Sequence, residues 1–198
     1  MTEPPIDDAP SEIVDLSQAC VRYVRDALSF ELDFTRETLP VLDHYLSETV
    51  RGSHQEAVDL MAHVAGAYFG EVVRRTLPGV RWAEGESELR RQRLEFERIF
   101  LCFNPIGAAL EAITGAPSEG WYAHFQVLDD ARIAVSAALE ATVEVAEEDF
   151  FTLGVRLETL EQVADVVSGL EAARNELRSF GPEVYRALFV TAEDAASN

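Results

Sequence analysis

Two glycines four residues apart inside an apolar helix constrain this chain more than any other feature. Between Glu56 and Thr76, residues Leu60, Met61, Val64, Ala65, Tyr68, Phe69 and Val72 fall into one wide apolar sector at about 100° per residue. Gly66 and Gly70 fall on the other side. Each costs about 1 kcal/mol against alanine in a helix interior. A helix keeps such residues where another backbone must come close. The spacing therefore predicts a central helix, buried on two sides, with a second element packed along the Gly66–Gly70 ridge.

The remaining elements follow from periodicity and punctuation. Ser11 is expected to cap a helix to about Phe30, with Ile13, Leu16, Cys20 and Val24 on its buried stripe. Thr35 or Thr38 caps a second helix to about Val50, with Pro40 in its first turn. Leu77-Pro78-Gly79 ends the central helix, and Val80–Ala83 reads as a short strand. Leu94–Phe103 reads as one long strand, its Glu95 and Glu97 facing water and its Ile99–Phe103 end entering the core. Asn104 caps the next helix, Pro105 takes its first position, and Gly115 ends it. Trp121–Val127 reads as another strand. A helix then runs from Asp129 or Asp130 to about Asp149. A second starts at the Thr159-x-x-Gln162 capping box and ends near Phe180, and a short one holds Val184, Tyr185, Leu188 and Phe189.

This pattern predicts a helix-dominated α+β single domain. A small sheet of about three strands, antiparallel or mixed, is packed by helices, and the C-terminal helices are long. Residues 1–10 read as a disordered tail, 11–190 as the domain and 191–198 as a frayed tail. Residues 129–190 either belong to the domain or form a helical subdomain. At 198 residues the chain can bury a core without metal or disulfide support.

Charge excludes several functions. Thirty-six acidic residues face sixteen cationic ones, a net charge of −20, and every cation is arginine. Without lysine, side-chain Schiff-base chemistry is excluded. Nucleic acid and anionic membranes are disfavoured as partners, because both require phosphates to be met by cations. A basic protein surface is favoured. The longest uncharged run, Ile99–Leu110, is too short to span a bilayer. Cys20 and Cys102 show no paired spacing, which fits free thiols in a reducing cytoplasm. The arginines Arg74, Arg75, Arg81, Arg90, Arg91, Arg93 and Arg98 crowd one stretch that could bind an acidic partner or phosphate, and pairing with the chain's own acidic helices is the expectation there.

Candidate chemistry is sparse. Asp59 and His63, four apart on the central helix, could offer two metal ligands, but no third stands at a telling spacing, so no metal is expected. Glu71 and Arg75 lie at the edge of the apolar sector, where a buried pair would clamp the following turn or line a pocket with Trp82. His124 alternates with Tyr122 and Gln126. The heptad-like stripe Leu160, Val163, Val167, Leu170, Arg174, Leu177 packs on the chain's own core or pairs two copies as a homodimer.

The run Gly66-Ala67-Tyr68-Phe69-Gly70-Glu71-Val72-Val73-Arg74-Arg75, with Gly79, Trp82 and Asn104-Pro105, resembles a pattern in uncharacterised bacterial proteins classed as domains of unknown function. In these a GAYxGEVxR helix leads to a GxxW turn and later to an NP-started helix. The resemblance covers about residues 30–115. It implies a bacterial α+β protein with Tyr68, Glu71, Trp82 and Asn104 as signature residues, and it implies no activity.

Two functional expectations follow. The first is a non-enzymatic, cytoplasmic, acidic module that binds a protein, either a basic partner or itself, in an immunity or antitoxin-like manner, with no cofactor. The alternative is an enzyme or small-ligand binder with a pocket around Tyr68, Glu71, Arg75, Trp82 and His124. A solid core at those residues favours the first, and an open cleft beside a water-accessible His124 favours the second.

Overall fold

The structure, a computed structural model, describes residues 9–141, 145–146, 149–174 and 178–187. The expected 191–198 tail, most of the 1–10 tail, and Leu177, Leu188 and Phe189 lie outside the described residues. The fold is α+β and helix-dominated, with a small antiparallel sheet.

Helix α1 (Ser11–Leu28) and helix α3 (Gln55–Thr76) pack closely together. Ser11 is the first residue of α1 rather than its cap; Pro10 holds the cap position and offers no side-chain hydrogen bond. Between them, a single 3-10 turn (Arg36–Thr38) leads into α2 (Leu39–Tyr45), and a wide π turn (Leu46–Val50) follows. Thr38 holds the cap position of α2 but gives no side-chain cap hydrogen bond. The Thr38 hydroxyl is engaged with Tyr68 and the Thr35 carbonyl instead.

Helix α3 is the centre. Every residue from Val64 to Arg74 is buried, on all faces. Leu60 departs from expectation: it lies one turn too early and is 46% exposed. A Cβ on Gly66 would collide with the backbone of Ile106, at the start of α4 (Pro105–Thr114). At Gly70 the neighbour is a side chain rather than a backbone, because the Trp82 indole lies flush against it with Pro105 beside it. Asn104 caps α4 as expected. Its Oδ1 accepts the Ile106 N–H at 2.9 Å, and its amide donates to the Leu89 and Arg90 carbonyls, which fastens the preceding loop. Gly115 closes α4 with φ +67°.

The expected Leu94–Phe103 strand is a hairpin. Strands β2 (Leu94–Phe96) and β3 (Leu101–Phe103) pair antiparallel across residues 97–100. A continuous apolar run cannot reveal a reversal, because both arms bury the same residue types. The sheet is completed by β1 (Val80–Trp82) and β4 (Gln126–Val127), in the order β1-β2-β3-β4. It has four strands rather than three. The expected Trp121–Val127 strand shrinks to its last two residues, and Tyr122 adopts φ +51°, which breaks extended pairing. Val80, Trp82, Leu94, Phe96, Leu101 and Phe103 face the main core. Arg81, Glu95, Cys102 and Gln126 pair across the opposite face.

Helix α5 covers Asp129–Glu140, short of the expected Asp149, and α6 covers Leu153–Arg174. The Thr159 capping box is not used. Thr159 lies mid-helix and its hydroxyl bonds back to the Val155 carbonyl at 2.8 Å. Leu153, Leu157, Leu160, Val163 and Val167 pack into the main core. Of the heptad-like stripe, Leu160, Val163 and Val167 are thus in the chain's own core and Leu170 packs against it, while Arg174 pairs with Glu171 and Leu177 lies outside the described residues.

The Gly66–Ile106 contact predicts an inverted propensity effect. Gly→Ala in a helix interior ordinarily stabilises by up to about 1 kcal/mol. Gly66→Ala should instead destabilise by about 2 kcal/mol or more, read as a lower midpoint in urea unfolding.

Candidate functional site

The structure gathers Tyr68, Glu71, Arg75 and Trp82, and it gathers them as a clamp. One turn of α3 separates Tyr68 from Glu71 and Glu71 from Arg75. The Glu71 carboxylate accepts two hydrogen bonds from Arg74, from Nε at 3.0 Å and Nη2 at 2.9 Å. It also accepts the Trp82 indole N–H at 2.9 Å. Arg75 Nε lies 3.9 Å from the same carboxylate, and its guanidinium covers the Phe34 ring at 4.2 Å. Phe34 in turn stacks against Tyr68 at 4.8 Å. The Tyr68 hydroxyl accepts the Phe34 backbone N–H at 2.9 Å and pairs with the Thr38 hydroxyl at 2.7 Å.

This arrangement ties α3 to β1 and to the α1–α2 connection. Its carboxylate, indole and phenol are all hydrogen-bonded within the fold, while Arg75 Nε is buried without a hydrogen-bond partner. Glu71 is 1% exposed and Tyr68 fully buried. Burial pushes the Tyr68 phenol up to about 12, too high for acid–base work at neutral pH. His124 is not part of the cluster. It is exposed on the segment entering β4, at the opposite edge of the sheet from Trp82. The carboxylate of the Asp59–His63 pair is occupied: Gln55 donates to Asp59 at 2.8 Å. His63 is half-buried beside Trp121, and burial lowers its pKa against the opposing pull of Asp59. Among the described residues, no three His, Cys, Asp or Glu side chains converge as a metal site.

Two open clefts lie elsewhere, and neither is lined by these residues. One borders β4 and α5 and is lined by Phe125, Val127, Val135 and Leu139 with Arg132 at its rim. The other, of about 430 Å³, holds Asp43, His44, Ser47, Arg51, Asp149 and Thr152. Asp43 is a residue the periodicity could not single out. Its carboxylate caps α6 from α2, accepting the Leu153 N–H at 2.7 Å and the Gly154 N–H at 3.0 Å. Arg51 in the same cleft donates to the Ile113 and Ala112 carbonyls at the end of α4.

Glu111 was also unread, although it is the lone charge in the apolar run Pro105–Ile113. It pairs with buried Arg156 of α6 at 2.5 Å and accepts the Ser118 backbone N–H. Glu95 looked solvent-facing by alternation, yet it is fully buried between Arg81 and Arg93. Of the crowded arginines, Arg74, Arg75, Arg81, Arg91 and Arg93 pair with the chain's own acids, but only Glu71 lies on a helix; Glu95 is on a strand and Glu88 in a loop, and Arg90 covers the Trp121 ring.

No family model matches this chain, and neither the curated proteins nor the solved structures contain a match to it.

Two expected outcomes follow from this geometry. Glu71→Gln leaves Arg74 buried without a countercharge and should cost about 3 kcal/mol in urea unfolding, with a change in Trp82 fluorescence. At Asp43, burial and the nearby Asp149 outweigh the two N–H bonds and raise the carboxyl from 3.8 to about 6. The native state therefore holds this proton more tightly than the unfolded chain. The associated stability is full below about pH 4 and is lost as pH rises to about 6, on the order of 2 kcal/mol. Asp43→Asn should flatten this segment of the pH–stability curve.

Proposed function

We propose that this chain is a non-enzymatic acidic interaction module that binds a basic protein surface in the cytoplasm. The observation that carries the reading is where the arginines go. At least twelve of the sixteen lie within ion-pair distance of the chain's own carboxylates. Several of these pairs are interior, where Glu71, Glu95, Glu111 and Glu171 are buried. Most of the arginines are thus matched by the chain's own acids, some in the interior and some at the surface, and the excess of acid is left without cations to match it. A net charge of −20 then steers cationic partners and repels phosphate-bearing ones.

The filled interior at Tyr68, Glu71 and Trp82 supports the same reading, since a reaction centre there would have no room for substrate. No helix among the described residues is long and apolar enough to cross a membrane. Self-association through α6 is disfavoured because its apolar seam is already packed. The resemblance to the GAYxGEVxR proteins fits a shared scaffold, in which the signature residues hold the fold together.

The test is to purify the untagged protein from its native source and weigh it by native mass spectrometry. The expected result is a stoichiometric complex with a basic protein that dissociates as salt is raised. Recovery of the chain alone with a bound small molecule would overturn the proposal.

A further inference from the structure

The outer face of the sheet is polar by sequence and buried in the fold. Arg81, Glu95 and Cys102 are cross-strand neighbours on β1, β2 and β3, and Gln126 continues the row on β4. Arg93, two residues before Glu95, joins the same face. Glu95 receives Arg81 at 3.1 Å and Arg93 at 2.9 Å. Glu95 and Cys102 are both fully buried.

Residues 178–187 cover this face. Phe180 and Tyr185 pack with Phe100 and Cys102 in a small apolar cluster separate from the main core. Tyr185 stacks on Phe100 at 4.8 Å. Its hydroxyl sits in the β2–β3 turn, where it accepts the Leu101 N–H at 3.3 Å. It donates its one hydrogen among the carbonyls of Phe96 at 2.7 Å, Ile99 at 3.1 Å and Leu101 at 3.2 Å. The Phe180 N–H donates to the Glu97 carbonyl at 2.8 Å, and Arg81 donates to the Phe180 carbonyl at 2.8 Å. The other contacts lie at the surface: Val184 packs on the edge of the cluster, Arg178 lies 3.6 Å from Glu171, and Arg186 reaches the Glu84 carbonyl at 3.4 Å.

Two opposing effects act on this cover. Closing it buries two aromatic rings, Phe180 and Tyr185, which favours the closed state. It also strips water from Glu95, whose pKa rises through burial, and it leaves Arg81 Nε buried without a hydrogen-bond partner. The polar cost offsets much of the apolar gain. A segment whose buried side chains are two aromatic anchors over a polar face, with its remaining contacts at the surface, opens more readily than the main core.

We propose that residues 178–187 form a reversible strap, latched by Tyr185, whose release uncovers Cys102 and the Arg81–Glu95 pair while the main core stays folded. In the closed state the Cys102 thiol is inert, since burial pushes it up to about 12. Release lets water and solutes reach it.

Cys20 makes the test internal to the chain. It is fully buried on α1 in the main core, so its exposure requires the main core to open. The full-length protein is incubated with N-ethylmaleimide under native conditions, and labelling at each cysteine is followed by mass spectrometry. Rates are normalised to those of the urea-unfolded chain. Cys102 should label at least about tenfold faster than Cys20, the ratio set by a local opening about 1.4 kcal/mol easier than global unfolding. Tyr185→Ala should speed Cys102 by a further tenfold or so and leave Cys20 unchanged, with Tyr185→Phe falling between. Equal normalised rates in the wild type, or a Tyr185→Ala effect shared by both cysteines, would mean that the segment opens only with the whole fold, and would overturn the proposal. The wild-type ratio decides the matter even if the alanine variant does not fold.

Discussion

The fold is organised around how closely α4 and β1 can approach α3. At Gly66 the backbone of Ile106 occupies the space a side chain would need, and at Gly70 the Trp82 indole does. Those two approaches bring the start of α4 and the first strand of the sheet onto one ridge of a single helix. Helix α1 takes another face, and the inner side of the sheet completes the burial. A methyl group at Gly66 would separate α3 from α4 and, through the Asn104 cap, disturb the loop that Asn104 holds by the Leu89 and Arg90 carbonyls.

A second constraint is electrostatic. The chain places glutamates in its interior and matches them with arginines. Glu71 is held by Arg74 and Trp82, Glu95 by Arg81 and Arg93, Glu111 by Arg156, and Glu171 by Arg174. Arginine suits this role because its planar donors can serve a carboxylate and a second acceptor together. Arg81 does so, bridging Glu95 and the Phe180 carbonyl. Such pairs contribute modest net stability but heavily penalise wrong packing, since a lone buried charge costs several kcal/mol. They link elements distant in sequence, as Glu111 and Arg156 join α4 to α6. Each buried pair removes an acid and a cation together, so the field outside the molecule follows from the net charge of −20 that the composition sets.

Much of the fold was legible because its signals are local. The Asn104-Pro105 start and Gly115 stop of α4 are backbone requirements that specific residue types satisfy. The central position of α3 followed from two glycines. What failed depended on distant partners. The α6 start was misplaced because its cap, Asp43, comes from another helix, while Thr159 carried a local pattern whose hydroxyl turned back into its own helix. The Leu94–Phe103 reversal was invisible in a run apolar on both arms. Of the candidate site, Tyr68, Glu71, Arg75 and Trp82 were rightly associated, but His124 lies at the other edge of the sheet. Whether the four formed a cleft or a clamp depended on Arg74 and Phe34, which the helical spacing did not single out.

By itself the sequence determined the helix-dominated α+β class, the central helix and the close approach along its glycine ridge, the α4 caps and the strongly negative charge. Each of these rests on periodicity, backbone permissiveness or composition, which act over a few residues or sum over all of them. Only the tertiary structure decided that Glu71 is a clamp, that Asp43 caps α6, and that the polar row at Glu95 and Cys102 lies beneath residues 178–187. A buried charge is defined by what surrounds it, and those surroundings come from elements up to about a hundred residues away, brought together only when the chain folds.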